Sequence, residues 1–119
     1  MLRIYTLANC DRCRAATKWL RAEGVAFEEI AIRATPPSLG ELRTMLAAQG
    51  GEVRKLCNTS GRDYRELKLG EKLAVLAPGA VLALLTGNGN LVKRPFLIGN
   101  GRALVGFDES TWRASVVRT

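Results

Sequence analysis

The sequence predicts a single α/β domain over residues 1–119, a four-stranded mixed sheet covered by helices, and three observations predict it. A strand, a helix and a second strand follow one another before Pro36-Pro37; residues from about 38 to 87 read as helix broken into pieces; and an Asn-Gly turn joins two short apolar runs just before a C-terminal helix. With 119 residues, 47% of them apolar, the chain can bury one core without disulfide or metal staples. That hydrophobicity argues against disorder.

Leu2 to Leu7 is a short apolar, partly β-branched run with alternation, ended by Ala8-Asn9, and reads as the first strand. The helix after it runs from about Asp11 to Glu23. Ala15, Ala16, Trp19 and Leu20 recur at three- and four-residue spacing as its core stripe, and Gly24 closes it. Val25 to Ile32, with Phe27, Ile30 and Ile32, is the second strand. A strand–helix–strand unit of about 30 residues makes these strands parallel, with a right-handed crossover. After Pro36-Pro37, Ser38 and Glu41 form a capping box for a helix striped by Leu39, Leu42 and Leu46 and stopped at Gly50-Gly51. Val53 to Leu56 reads as one turn, Asp63 as the cap of Tyr64 to Leu67, and Glu71 to Leu76 as a further short piece. Pro78 suits the first turn of a helix carrying Val81, Leu84 and Leu85 and ended by Gly87. Phe96-Leu97-Ile98 and Ala103-Leu104-Val105 flank Gly99-Asn100-Gly101, a hairpin signal because Asn and Gly tolerate positive φ. Asp108 caps a last helix holding Trp112 and Val116; Trp19, Trp112 and Tyr64 read as packing residues.

Composition narrows the chemistry. No apolar run reaches the ~18–20 residues of a membrane span. Met1-Leu2-Arg3-Ile4-Tyr5 lacks the pattern of a signal peptide, so the expected location is the cytoplasm, where thiols stay reduced. Three cysteines are an odd count, which argues against a disulfide framework, and with no histidine they serve zinc poorly. Redox chemistry or burial remains. The absence of histidine also removes most acid–base mechanisms. A net charge of +7, from 18 basic and 11 acidic residues, favours anionic partners. The charge is spread along the chain and forms no basic stripe with interleaved aromatics, so direct nucleic-acid binding is not expected.

Cys10 opens the turn Cys10-Asp11-Arg12-Cys13, where the first strand ends and the first helix begins. Unpaired amides and the helix dipole favour negative charge there, and comparable placements lower a cysteine pKa from ~8.5 to below 7.5. Arg12 and Arg14 add positive charge nearby. Cys13, one helical turn on, is spaced to resolve a mixed disulfide by attacking Cys10. A second constellation, Lys93-Arg94-Pro95, precedes the third strand. In thioredoxin-like folds, which this order of elements resembles, that proline is typically cis and packs beside the active cysteine. Arg94 would then stand next to Cys10, where a guanidinium pins an oxyanion or a carboxylate. Cys57 reads as a small buried hydrophobe. Asn58-Thr59-Ser60-Gly61 is a polar loop that either binds a ligand or turns the chain.

Together these motifs resemble the ArsC/Spx/YffB family of arsenate-reductase-like proteins, within the thioredoxin superfamily. The resemblance is carried by Ile4-Tyr5 leading to Asn9-Cys10-Asp11-x-Cys13-Arg14-x-Ala16-x-Lys18-Trp19-Leu20, and by Asn58-Thr59-Ser60-Gly61 with Tyr64-Arg65-Glu66-Leu67. Leu91-Val92-Lys93-Arg94-Pro95 and Leu104-Val105-Gly106-Phe107 complete it. It implies a thioredoxin/glutaredoxin-like sheet in strand order 2-1-3-4, a helical insertion at about 38–87 before the third strand, and a cis Pro95. It further implies that Cys10 attacks arsenate, a glutathione mixed disulfide or a protein disulfide, with Arg94 holding the anion and Cys13 resolving. Asn9, Arg12, Arg14, Pro95, Asn58 and Thr59 would surround the substrate. No bound cofactor is implied; glutathione or a thioredoxin/glutaredoxin system would supply electrons. In the arsenate reductases of this family three arginines assist. Arg94 matches one, Asn58 and Gly106 stand at the other two, and Arg54, Arg62 or Arg102 are candidate substitutes. Cys13 has no counterpart in those enzymes. The Spx regulators do carry Cys-x-x-Cys, as a redox switch, and bind the RNA polymerase α subunit, so a redox-sensing adaptor is the alternative reading.

Overall fold

In the computed structural model, which describes residues 1–116, the first strand, β1 (Leu2–Thr6), sends Leu2 and Ile4 to one side and Tyr5 to the other. The two-residue period of a strand requires this, and it fixes two separate cores. Helix α1 (Asp11–Ala22) returns the chain to β2 (Phe27–Ala31), which pairs with β1 in parallel from Leu2↔Phe27 to Thr6↔Ala31. Strand β3 (Phe96–Gly99) joins the other edge of β1 antiparallel, and β4 (Arg102–Val105) pairs antiparallel with β3. The order is β2-β1-β3-β4, as the resemblance implied.

Helices α1 and α6 (Glu109–Val116) cover one face, where Leu2, Ile4, Ala16, Leu20, Leu97 and Trp112 are buried together. Phe107 stands edge-on to Trp112, ring centroids 5.0 Å apart. The other face is covered by α2 (Leu39–Ala48), α3 (Arg62–Glu66), α4 (Leu69–Lys72) and α5 (Pro78–Gly87), with 3-10 turns at Val53–Leu56 and Gly89–Leu91. Tyr5, Ile32, Leu42, Met45, Leu85 and Phe96 are buried in that second core. The Ser38–Glu41 capping box forms as predicted, and its glutamate has a second use. Glu41 accepts the Tyr5 hydroxyl at 2.6 Å and the Arg3 Nε–H at 3.0 Å, which ties the start of α2 to β1.

The structure adjusts several local expectations. Val25 stays outside β2 because its N–H closes α1 onto the Leu20 carbonyl. Ala15 is exposed, and the buried stripe of α1 is Cys13, Ala16, Thr17, Trp19 and Leu20. Leu84 is exposed and Leu82 takes its place in the core. Asp63 is not a cap: it lies inside α3, and its carboxylate accepts the side-chain amides of Asn88 and Asn90 at 3.1 Å each. The piece expected at Glu71 to Leu76 begins earlier, as α4. The hairpin turns where predicted, with Asn100 at φ 52° and Gly101 at 77°. Residues 117–119 of the predicted domain lie outside the described residues. Among the described residues no helix is long and apolar enough to cross a membrane.

Candidate active site

β1 delivers the chain to the site through Asn9, whose φ of 64° is tolerable for asparagine and turns the backbone into α1. Cys10 is the N-cap of that helix. Its sulfur accepts the Cys13 N–H at 3.2 Å, as a serine oxygen would at an ordinary cap. The two sulfurs differ in access: Cys10 is half-buried, whereas Cys13 is only 3% exposed. Burial pushes the Cys13 thiol up to about 12; the neighbouring Cys10 adds to the rise, and the Leu7 amide and the Arg94 charge oppose it. Cys13 is therefore a protonated, inward-facing thiol at neutral pH.

Strand pairing brings the second constellation to the same end of the sheet. Tyr5 is opposite Phe96 in an antiparallel register, so the residues just before β3 run alongside those just after β1. The Arg94–Pro95 peptide bond is cis and Pro95 is buried. Arg94 is half-buried. Burial lowers its pKa, while negative charge on Cys10 or Cys13 acts in the opposite sense, which marks the guanidinium as an electrostatic neighbour of both sulfurs. Its Nη2 donates to the Asn90 carbonyl at 3.2 Å. The Asn58 carboxamide oxygen, oriented to satisfy both groups, accepts from Nη1 at 3.1 Å and Nη2 at 3.3 Å. Nε is buried without a partner among the described residues.

Asn58 reaches Arg94 because two backbone bonds of 2.8 Å, Asn58 N–H to Leu91 O and Lys93 N–H to Leu56 O, zip its loop against the segment before β3. Gly61 leaves room for it: a Cβ there would lie 2.5 Å from the Asn58 carboxamide. Asn90 is in turn held by Asp63 and by the Arg33 guanidinium. Asp63 sits below the usual carboxylate range because the Asn88 and Asn90 amides donate to it.

The other expected residues are distributed around this centre. Arg12 is exposed and donates to the Phe107 carbonyl at 2.9 Å, tying α1 to the connection after β4. Arg14 pairs with Asp11 and lines a cavity on the β2 side with Asn9, Cys13 and Glu29. Thr59 is exposed and lines a different cavity, with Arg54, Cys57 and Lys93. Of the candidate substitute arginines, only Arg62 shares a cavity with Arg94 and Asn58. Arg54 donates to the Tyr64 hydroxyl at 3.3 Å. Arg102 is bound to the Ser115 and Asn100 carbonyls, at the far end of the sheet from Cys10. Cys57 is 2% exposed and its burial pushes the thiol up to about 11, in keeping with a packing role.

A sequence profile of the ArsC family matches residues 5–115. The chain belongs to the ArsC family. Among its relatives, the uncharacterized protein YusI of Bacillus subtilis is 41% identical over 108 residues, covering 91% of this chain and 92% of YusI. The global transcriptional regulator Spx of Enterococcus faecalis is 30% identical over 118 residues, 99% of this chain and 88% of that one. The crystal structure of a possible arsenate reductase from Streptococcus mutans superposes with a TM-score of 0.83 at 35% identity, covering 90% of this chain and 91% of that chain.

Arg33 and Asn90 were not singled out in the sequence, and Asp63 was read there only as a helix cap. Arg33 follows β2 by two residues and Asn90 precedes Arg94 by four, and no motif marks either. Their proximity is a product of the sheet order.

Proposed function

We propose that this ArsC-family protein is a cytoplasmic thiol–disulfide oxidoreductase with Cys10 as nucleophile and Cys13 as resolving thiol. One observation carries the reading: the accessible sulfur accepts a helix N-terminal amide at 3.2 Å, with a second, buried thiol one turn behind it and a guanidinium alongside. The Cys10 thiolate attacks one sulfur of a substrate disulfide, forming a mixed disulfide and expelling the other sulfur as a thiolate. Cys13 then loses its proton to solvent and attacks Cys10 Sγ, releasing the second substrate thiolate. The substrate has gained two electrons, and the protein holds a Cys10–Cys13 disulfide. Two external thiols, from glutathione or a thioredoxin/glutaredoxin system, return it to the dithiol. No bound cofactor takes part. Arg94 holds anionic charge on the substrate, whether a small oxyanion such as arsenate or the carboxylate of a thiol compound. Asn58 and Asn90 are positioning residues that aim the guanidinium.

Disulfide exchange and arsenate reduction, each assayed with glutathione or thioredoxin as donor, test this. Cys10→Ser abolishes turnover. Cys13→Ser accumulates the mixed disulfide, visible by mass spectrometry, or makes turnover depend on added glutathione. Full activity in Cys10→Ser would overturn the assignment. A second reading rests on the match to Spx: a redox-sensing adaptor for the RNA polymerase α subunit, in which oxidation of Cys10 takes away the free sulfur that caps α1. Capture of the α subunit only from the reduced or only from the oxidised protein supports it; redox-independent or absent capture rejects it.

A further inference from the structure

We infer that a cationic groove that meets the Cys10–Cys13 turn at Arg12 is the docking track of an acidic protein segment that brings its disulfide to Cys10. Three cavities make up the groove, each having a lining residue in common with the next. The first, about 380 Å³, is lined by Arg33, Arg62 and Arg94. Arg94 is also a wall of the second, about 310 Å³, together with Arg12 and Lys93. Lys93 in turn bounds the third, about 370 Å³, with Arg54 and Lys55. Seven basic side chains thus line this series of adjacent cavities, against two carboxylates, Asp63 and Asp108. The whole chain has a net charge of +7, so most of its excess positive charge is gathered here although the sequence shows it spread out.

The two carboxylates offset part of this charge, leaving the lining five positive charges in excess. Asp63 is occupied by Asn88 and Asn90, and Asp108 by the Thr111 hydroxyl at 2.6 Å. Lys55 pairs with exposed Glu52 at 3.7 Å and Arg62 with exposed Glu66 at 3.6 Å, pairs an incoming carboxylate can replace, while Arg62 also stands 3.9 Å from Asp63. One such cavity suffices for a small ligand; three in series fit an extended chain with several carboxylates. Nucleic acid fits the lining poorly. Its one aromatic is Phe107, whose ring is committed to Trp112, so there is no platform on which bases could stack. The inference rests on the proposed exchange chemistry at Cys10 and adds which disulfides reach it.

The test compares three probes reacting with the full-length reduced protein. The first is a peptide mixed disulfide whose cysteine is flanked by Asp and Glu, the second the same peptide with Asn and Gln, and the third oxidised glutathione. The expected result is a rate roughly tenfold higher for the acidic than for the neutral peptide at low ionic strength. The preference fades as salt shortens the screening length to a few ångströms, ~3 Å at 1 M. Charge reversal at the two ends of the groove, Lys55→Glu and Arg62→Glu, removes the preference, while Lys72→Glu, exposed on α4, keeps it. Equal rates for the two peptides overturn the docking inference alone, as does a faster reaction with oxidised glutathione or displacement of the acidic peptide by an equal amount of single-stranded oligonucleotide. No reaction with any probe overturns the reading of Cys10 and the docking inference with it.

Discussion

At the scale of single residues the cysteines are sorted by access. Cys13 and Cys57 are 3% and 2% exposed, and burial raises their thiols to about 12 and about 11, so neither supplies appreciable thiolate near neutrality. Native protein treated with iodoacetamide at pH 8 is therefore expected to take one adduct, on Cys10, with Cys13 and Cys57 modified only after denaturation. Mass spectrometry of the intact and digested protein checks this, and labelling of Cys57 at a rate comparable to Cys10 contradicts it. The Cys-x-x-Cys spacing was visible in the sequence because both partners lie in one helical turn. The grip on Arg94 was not. Asn58 is 36 positions from it, and which of the chain's polar residues meets that guanidinium is decided by a loop zipped against a distant segment.

At the scale of elements, short-range signals were reliable and long-range ones were hidden. Asn100-Gly101 announced the hairpin and Ser38–Glu41 the start of α2, because turn and cap preferences act within four residues. Asp63 looked like a cap by the same logic, but its carboxylate is claimed by amides 25 and 27 residues away. Glu41 serves both scales, capping α2 and fastening it to β1. Burial pulls its pKa up, but the Tyr5 hydroxyl, the Ser38 amide and the Arg3 guanidinium overcome that and hold it below 4.5. The folded state thus binds this proton more weakly than the unfolded chain does. Its contribution is present above pH 4.5 and is lost as pH falls through the depressed folded value. Glu41→Gln is expected to lower stability by about 1–2 kcal/mol at pH 7. The gap from the wild type, followed by urea denaturation, should narrow below pH 4.5 as the wild-type carboxyl takes up its proton. A gap that is constant from pH 7 to pH 3 counts against the fastening role.

At the scale of the whole molecule the sheet separates two cores. Leu20 belongs to the α1–α6 side and Phe96 to the side of the insertion, and both are fully buried. Leu20→Ala is expected to cost about 2–5 kcal/mol and Phe96→Ala about 3–5 kcal/mol. Because the two side chains share no cluster, losses in the double variant should add to within about 0.5 kcal/mol, read from denaturant midpoints. A larger coupling would mean that the cores repack through the sheet. The helical stretch before the third strand was legible from the succession of elements and the strand order from the family resemblance, while the gathering of basic residues was not, since Arg12, Arg33, Arg62 and Lys93 are brought together only by the fold. The two layers also own different halves of the chemistry. The sulfur caps a helix of one layer, whereas Asn58 and Asn90, which aim the guanidinium, come from the other. Relatives that rewrite the insertion can thereby exchange one anion preference for another while inheriting the same nucleophile, so that specificity and reactivity diverge on separate schedules.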